Sequence, residues 1–214
     1  MTCFRDPRER LYPILDVEAC QRAGRQPLDV ARAFFAAGVL IVQIRAKTWP
    51  SGAFLDLSLA VVEEARRAQA LVIVNDRSDL ALLAHAAGVH VGQDDLTPED
   101  VRRVAGPDVL IGLSTHSAQQ VAKNVHQPIS YLAMGPVFAT STKVTGYDAV
   151  GYKAVEEAAA VARPLGLPVV AIGGITLGTA PRVVAAGAAS VAVIGDLLVG
   201  DPEVRAREYL SALA

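Results

Sequence analysis

Chemistry in this 214-residue chain collects where short apolar runs end. In LVIVNDRSDL, residues 71–80, four apolar positions give way to Asn75, Asp76, Arg77, Ser78 and Asp79. Ser78 or Asp79 reads as the N-cap of a following helix, and Arg77 as a side chain that points into solvent or pairs with a nearby acid. Asn75 and Asp76 need a further account, because neighbouring runs end in the same way. LIVQIRAK spaces Gln43, Arg45 and Lys47 two residues apart, and on a strand that spacing turns an amide, a guanidinium and an ammonium to one face. Such a row is ordinary on a solvated edge but costly inside a barrel without an anion. GVHVGQDDL ends in Gln93, Asp94 and Asp95. Two acids ahead of Thr-Pro suit the N-terminus of the next helix, yet if this strand adjoins that of Asp76, one of them converges with it. Two hard carboxylates a few ångströms apart repel unless a proton or a divalent cation lies between them. With Arg45 and Lys47 beside them, a magnesium–phosphate cluster is the natural occupant.

GLSTHS offers Ser114, Thr115 and His116. No G-x-S-x-G elbow surrounds Ser114, so it reads as a hydrogen-bond donor to a ligand and not as a nucleophile. His116 reads equally well as a capping or packed residue and as a proton carrier. His85 and His126 fall within helical segments and His90 within a strand, which gives all three structural roles, and no histidine spacing matches a metal site. GPVFATSTKVTGYDAVGY is the longest polar interruption, and a loop of this length suggests a binding or closing element. Its Thr140, Ser141, Thr142 and Lys143 set hydroxyls and a cation in succession, which suits an oxyanion. AIGGIT and VAVIGDLL bring Gly173, Gly174 and Gly195 to the ends of two further runs, where backbone N–H groups can approach a phosphate. Two anionic ligands, or two ends of one, follow: one beside acids and bases, the other in a glycine-lined pocket. Without a nucleophile, displacement of pyrophosphate from an activated carbon fits, with metal and cations stabilising the leaving group.

A regular alternation must position these residues. Strand-like runs at 11–16, 40–47, 70–76, 88–92, 109–115, 129–138, 168–175 and 190–198 precede helical stretches at 28–37, 53–69, 78–87, 97–105, 117–126, 153–165, 178–186 and 202–213. TPEDVRRVAG shows a Thr cap, Pro in the first helical position and two acids in the first turn. FFAAGVL, HAAGVHV and VAAGAASV each read as a helix end, a left-handed Gly cap and an immediate strand. Eight such units without a linker predict a single domain over residues 1–214, an α/β fold in the form of a closed (β/α)8 TIM barrel whose strand ends converge on one face. An open doubly wound sheet would leave the count of eight unexplained.

At 52% hydrophobic residues the chain can bury a large core, and its Ala and Val content suits helices packed closely on a parallel sheet. A net charge of −2 without a basic run gives no reason to expect nucleic acid or anionic membrane as a partner. Cys3 and Cys20 have neither metal-site spacing nor companions for a disulfide framework. No apolar stretch reads as a signal peptide or a membrane span, so a cytoplasmic setting is expected. A homo-oligomer is left open.

VQIRAK, VNDRSDLAL, GVHVGQDDL, GLSTH, GPVFATSTK and AIGGI occur in the order and spacing of thiamine-phosphate synthases, and the chain resembles that family over roughly residues 11–198. The resemblance implies a transferase of thiamine biosynthesis that joins 4-amino-2-methyl-5-hydroxymethylpyrimidine diphosphate to a thiazole phosphate. Pyrophosphate would leave first, a pyrimidine-stabilised cation would form, and the thiazole nitrogen would capture it. By the same resemblance, Gln43, Ile44, Arg45, Ala46, Lys47, Asn75, Ser114 and Lys143 hold the pyrimidine diphosphate, and Arg45, Lys47, Ser114 and Lys143 act in catalysis. Asp76 and Asp95 bind Mg2+, while Thr140, Ser141, Thr142, Gly174, Ile194 and Gly195 hold the thiazole phosphate. One stretch departs from the family: where its members have a sequence like Val-Ile-Ser-Ala-Ile, this chain has Ile194, Gly195 and Asp196. A hydroxyl donor is lost and a negative charge is brought near, which implies weaker or altered thiazole-phosphate affinity. The related thiazole tautomerases share the barrel and would use a histidine such as His116; a non-catalytic phospho-ligand sensor is a third reading. Neither needs Gln43, Arg45, Lys47, Asn75, Asp76 and Asp95 together.

Overall fold

The computed structural model describes residues 3–140 and 147–214. Its parallel strands are β1 (Leu11–Asp16), β2 (Ile41–Arg45), β3 (Leu71–Asn75), β4 (Gly88–Val91), β5 (Leu110–Thr115), β6 (Tyr131–Met134), β7 (Val169–Ile172) and β8 (Ser190–Val193). They close in chain order, with β8 pairing back onto β1, so the alternation read from the sequence becomes a (β/α)8 barrel. Helices α1 (Val17–Arg22), α2 (Pro27–Ala36), α3 (Ser51–Arg67), α4 (Ser78–Leu83), α5 (Pro98–Ala105), α6 (Ala118–Asn124), α7 (Gly151–Ala162), α8 (Ala180–Ala185) and α9 (Pro202–Ala212) surround it.

The period of two sorts each strand between two cores. On β2, Val42 and Ile44 face the layer shared with the helices, while Ile41 joins Tyr12, Ile73, Leu110, Tyr131 and Val170 inside the barrel. Phe4 closes the bottom edge-on against Tyr12 and Tyr131, with ring centroids 5.6 and 5.1 Å away. Among the described residues no helix is long and apolar enough to cross a membrane.

Several elements differ from the pattern in the sequence, each for a local reason. Helix α1 was not anticipated; it is short, and it starts because the Asp16 carboxylate accepts from the Ala19 amide at 2.7 Å. The run at 129–138 is strand only to Met134, because Pro136 has no amide for the ladder. Beyond it Val137 and Phe138 donate to the Ile172 and Gly173 carbonyls at 2.9 and 3.0 Å, which draws the chain over the end of β7. The Thr97 cap with Pro98 in the first turn is as read. Neither Ser78 nor Asp79 caps α4, however; Arg77 is its N-cap residue, without a side-chain cap.

His85 and His126 lie in turns just past α4 and α6, not within those helices. Gly38 and Gly187 are left-handed as expected, but Gly88 is not: His85 takes that conformation at φ 53°, and Gly88 belongs to β4. A Cβ on Gly88 would lie 2.5 Å from the Leu110 carbonyl oxygen and 2.7 Å from Ile73 Cδ1. Gly88→Ala is therefore expected to cost about 1–3 kcal/mol through overpacking, read as a lower denaturant midpoint with an unchanged slope.

Candidate active site

Closing the barrel sets the ends of β1 to β4 side by side. Asp16 is in register with Arg45, and its carboxylate takes the guanidinium at 2.5 Å with the two side chains only 1% and 14% exposed. One residue pair further out, Lys47 is ion-paired with Asp76. Asp76 follows the last residue of β3 in the left-handed region, at φ 62°, a conformation that Asp and Asn tolerate better than other side chains. Its amide donates to the His90 carbonyl at 2.8 Å, which ties this turn to β4. The Asp76 carboxyl also meets Asp95, whose other anchor is the Gly92 amide at 2.8 Å. Of the two candidate acids it is therefore Asp95 that converges with Asp76, although Asp94 and Asp95 are both exposed.

Burial pushes the Asp76 carboxyl above its ordinary range; Lys47 pulls it down and Asp95 pushes it up again, with a net rise. Two touching carboxylates, one of them reluctant to ionise, form a hard oxygen donor set that fits a magnesium ion. That ion commonly takes one or two carboxylates and completes its shell with water and phosphate. No cluster of three or more His, Cys, Asp or Glu side chains suited to a metal is present among the described residues. Arg77, as read, pairs with an acid, holding both Asp79 oxygens at 2.9 and 2.6 Å.

Across the barrel mouth lies a cavity of about 370 Å³ bounded by Ser114, His116, Thr140, Gly174, Ile194 and Gly195. A second, of about 40 Å³, runs down the barrel axis and is reached by Gln43, Arg45, Asn75 and His90. Of the residues implied by the resemblance, Ser141, Thr142 and Lys143 lie outside the described residues. Ile44 and Ala46 pack against the outer core, so only their backbone is available to a ligand.

His90, read from its strand position as structural, has its Nε2 2.8 Å from Ser114 Oγ. His116 neither caps α6, which Ser117 does, nor stands apart from the loop: its Nδ1 donates to the Gly135 carbonyl at 2.6 Å and its ring stacks on Tyr147 at 3.8 Å. Asp16 and Tyr12 were not singled out in the sequence. An acid at the end of an otherwise apolar first strand was the available signal for Asp16; Tyr12 gave none.

Gly173 and Gly174 have φ of 103° and 62°. A Cβ on Gly174 would lie 2.5 Å from the Ala139 carbonyl oxygen, so this glycine seats the β6–α7 loop against β7. Asp196 does not present the bare charge implied by its position. One of its carboxylate oxygens accepts from the Leu177 amide at 3.0 Å, from Arg205 at 2.8 Å and from the Tyr209 hydroxyl at 2.5 Å.

A closed (β/α)8 barrel with acids, bases and a glycine-lined cavity gathered at its strand ends is the framework of an enzyme for phosphorylated small molecules. The chain belongs to the thiamine monophosphate synthase family, whose model matches residues 11–197. It is 41% identical to the thiamine-phosphate synthase of Koribacter versatilis, over 95% of each chain. It is likewise 41% identical to that of Anaeromyxobacter dehalogenans, over 88% of this chain and 84% of the relative. Among solved structures, a thiamine phosphate pyrophosphorylase from Pyrococcus furiosus superposes with a TM-score of 0.85 at 26% identity, covering 97% of this chain and 96% of its own. The chain is a transferase, and its activity is thiamine-phosphate synthesis.

The raised Asp76 pKa has a direction for stability. Between the ordinary carboxyl pKa and the raised one the native state holds more protons than the unfolded chain, so this group's contribution falls as pH rises through that window. Asp76→Asn keeps a residue suited to φ 62° and removes the penalty. It is expected to melt no lower than the parent at neutral pH, with any gain vanishing in acid; a clearly lower melting temperature at neutral pH would count against this account.

Proposed function

We propose that the two ends of the site divide the substrates between them. The β2–β4 end takes the diphosphate of the pyrimidine substrate, and the β6–β8 cavity takes the thiazole phosphate. The observation that carries this reading is continuity: the two cavities share Ser114, Ala133, Ile172, Ala192 and Ile194, so ligands entering from the two ends meet over one apolar floor.

Arg45 and Lys47 supply positive charge for the diphosphate, and Asn75 and Ser114 supply neutral donors. Asp76 and Asp95 would hold Mg2+, which when bound supplies charge neutralisation to the leaving pyrophosphate. As the carbon–oxygen bond breaks, both bonding electrons leave with pyrophosphate, and the pyrimidine ring carries the cation. The thiazole nitrogen then donates its lone pair to form the carbon–nitrogen bond. No proton moves, so the site needs no general base, in keeping with the engaged state of His116. Arg45 is held in advance by Asp16, which limits the reorganisation needed as charge develops on the leaving group. Lys143, Thr140, Ser141 and Thr142 complete the proposal from the β6–α7 loop.

Incubating the purified chain with both substrates and Mg2+ is expected to release thiamine phosphate and pyrophosphate in equal amounts, and omitting Mg2+ to suppress both. Absence of product with authentic substrates would overturn the reading. Because Mg2+ requires the ionised acid pair, its addition is expected to raise the melting temperature at neutral pH, with the increment fading as pH falls through the raised Asp76 pKa.

Gly195 opens the turn after β8 and lines the larger cavity. Gly195→Ser would restore a hydroxyl donor there and is expected to lower the KM for thiazole phosphate by about fivefold, the worth of one neutral hydrogen bond. An unchanged KM would show that the backbone amide alone serves the phosphate.

A further inference from the structure

We propose that Gln43, Tyr12, Tyr131 and His90 form a one-way hydrogen-bond chain through the barrel floor that fixes the His90 proton on Nε2 and turns the Ser114 hydroxyl hydrogen toward the ligand. Tyr131 and His90 are then positioning residues that act through Ser114. The catalytic part of this inference rests on the reading that Ser114 faces the diphosphate.

The links are continuous. Gln43 Nε2 lies 3.0 Å from Tyr12 Oη, which is 2.9 Å from Tyr131 Oη. Tyr131 Oη is 3.0 Å from His90 Nδ1, and His90 Nε2 is 2.8 Å from Ser114 Oγ. The chain thus joins β2 to β5 across the barrel, and Gln43, Tyr12, Tyr131 and His90 are 4%, 1%, 0% and 7% exposed. Gly112 makes room for it: a Cβ there would lie 2.1 Å from Tyr131 Cζ and 2.5 Å from His90 Nδ1.

Its polarity follows from the first member. An amide nitrogen only donates, so Tyr12 Oη accepts from Gln43. The Tyr12 proton then has Tyr131 Oη as its acceptor; were Tyr131 to donate instead, the Tyr12 proton would lose that partner in a dry interior, a loss that folded proteins avoid. Tyr131 therefore gives its own proton to His90 Nδ1. Burial pushes both phenols upward in pKa, which keeps these protons in place. A His90 ring that accepts at Nδ1 carries its hydrogen on Nε2 and donates it to Ser114. Ser114, having accepted, has its own hydrogen left to give. The reverse polarity would leave Ser114 offering lone pairs to an anion, which repel it. Phosphate oxygens accept only, so the direction of the chain decides whether Ser114 attracts the ligand.

The test has two arms. In the unaltered full-length protein, labelled at the imidazole nitrogens, nitrogen NMR above neutral pH should show His90 protonated at Nε2 and bare at Nδ1. A proton on Nδ1 overturns the proposal whatever the activity, and whether or not any variant folds. In kinetics, Tyr131→Phe is expected to lose about tenfold in kcat/KM, as is Ser114→Ala, with no further loss in the double variant, because both remove one hydrogen-bond donation. Multiplied losses would mean that Tyr131 only packs, and would overturn the proposal. An inactive wild type would instead refute the synthase mechanism while leaving the NMR result to decide the chain.

Discussion

Charge in the mouth of a dry barrel has to be answered by charge. Eight strands closing on one axis draw Gln43 and Arg45 out of bulk water, where an unpaired cation is costly, and leave Lys47 at the wetter rim. The protein answers from adjoining strands, with Asp16 against Arg45 and Asp76 against Lys47. The answer is uneven. The Arg45 pair is nearly dry and closed, whereas the Lys47 pair is wetter and brings a second acid, Asp95, into contact with Asp76. The repulsion from that second carboxylate is what a divalent cation would relieve, and with the cation in place a diphosphate could approach, so the site is least settled where its ligand would enter.

The opposite half of the mouth is built by close approach of backbone, with little charge. Gly173 and Gly174 let the chain after β6 lie against the end of β7, and Asp196 ties Leu177 to α9 through Arg205 and Tyr209. The walls of the larger cavity are thus held by their own hydrogen bonds. The Asp196 carboxylate, which by its place in the sequence would face the cavity as a bare charge, is consumed in that scaffold.

Between the halves, the barrel floor mixes tyrosines and a histidine into an interior that the composition alone would make wholly aliphatic. Buried polar groups of this kind persist when each finds a partner. Here the partners run in one line from Gln43 to Ser114, which gives the floor a direction as well as a filling.

How much of this was legible follows from the range of each interaction. The period of two along LIVQIRAK, the abrupt end of LVIVNDRSDL and the recurrence of strand then helix are local, so the chain alone determined the eight units and the residues at their ends, while six ordered motifs carried the resemblance to the family. Asn75 and Asp76 were separable from Arg77 on that basis, and the structure keeps Arg77 with Asp79. What the chain could not state was which partner each end residue meets. That Asp95 and not Asp94 reaches Asp76, that Asp16 answers Arg45, that His90 reaches Ser114 and that Asp196 turns to Arg205 all depend on strand register and on turns such as the left-handed one at Asp76. Those contacts join residues distant in sequence, and only closure of the barrel brings them within the reach of a hydrogen bond.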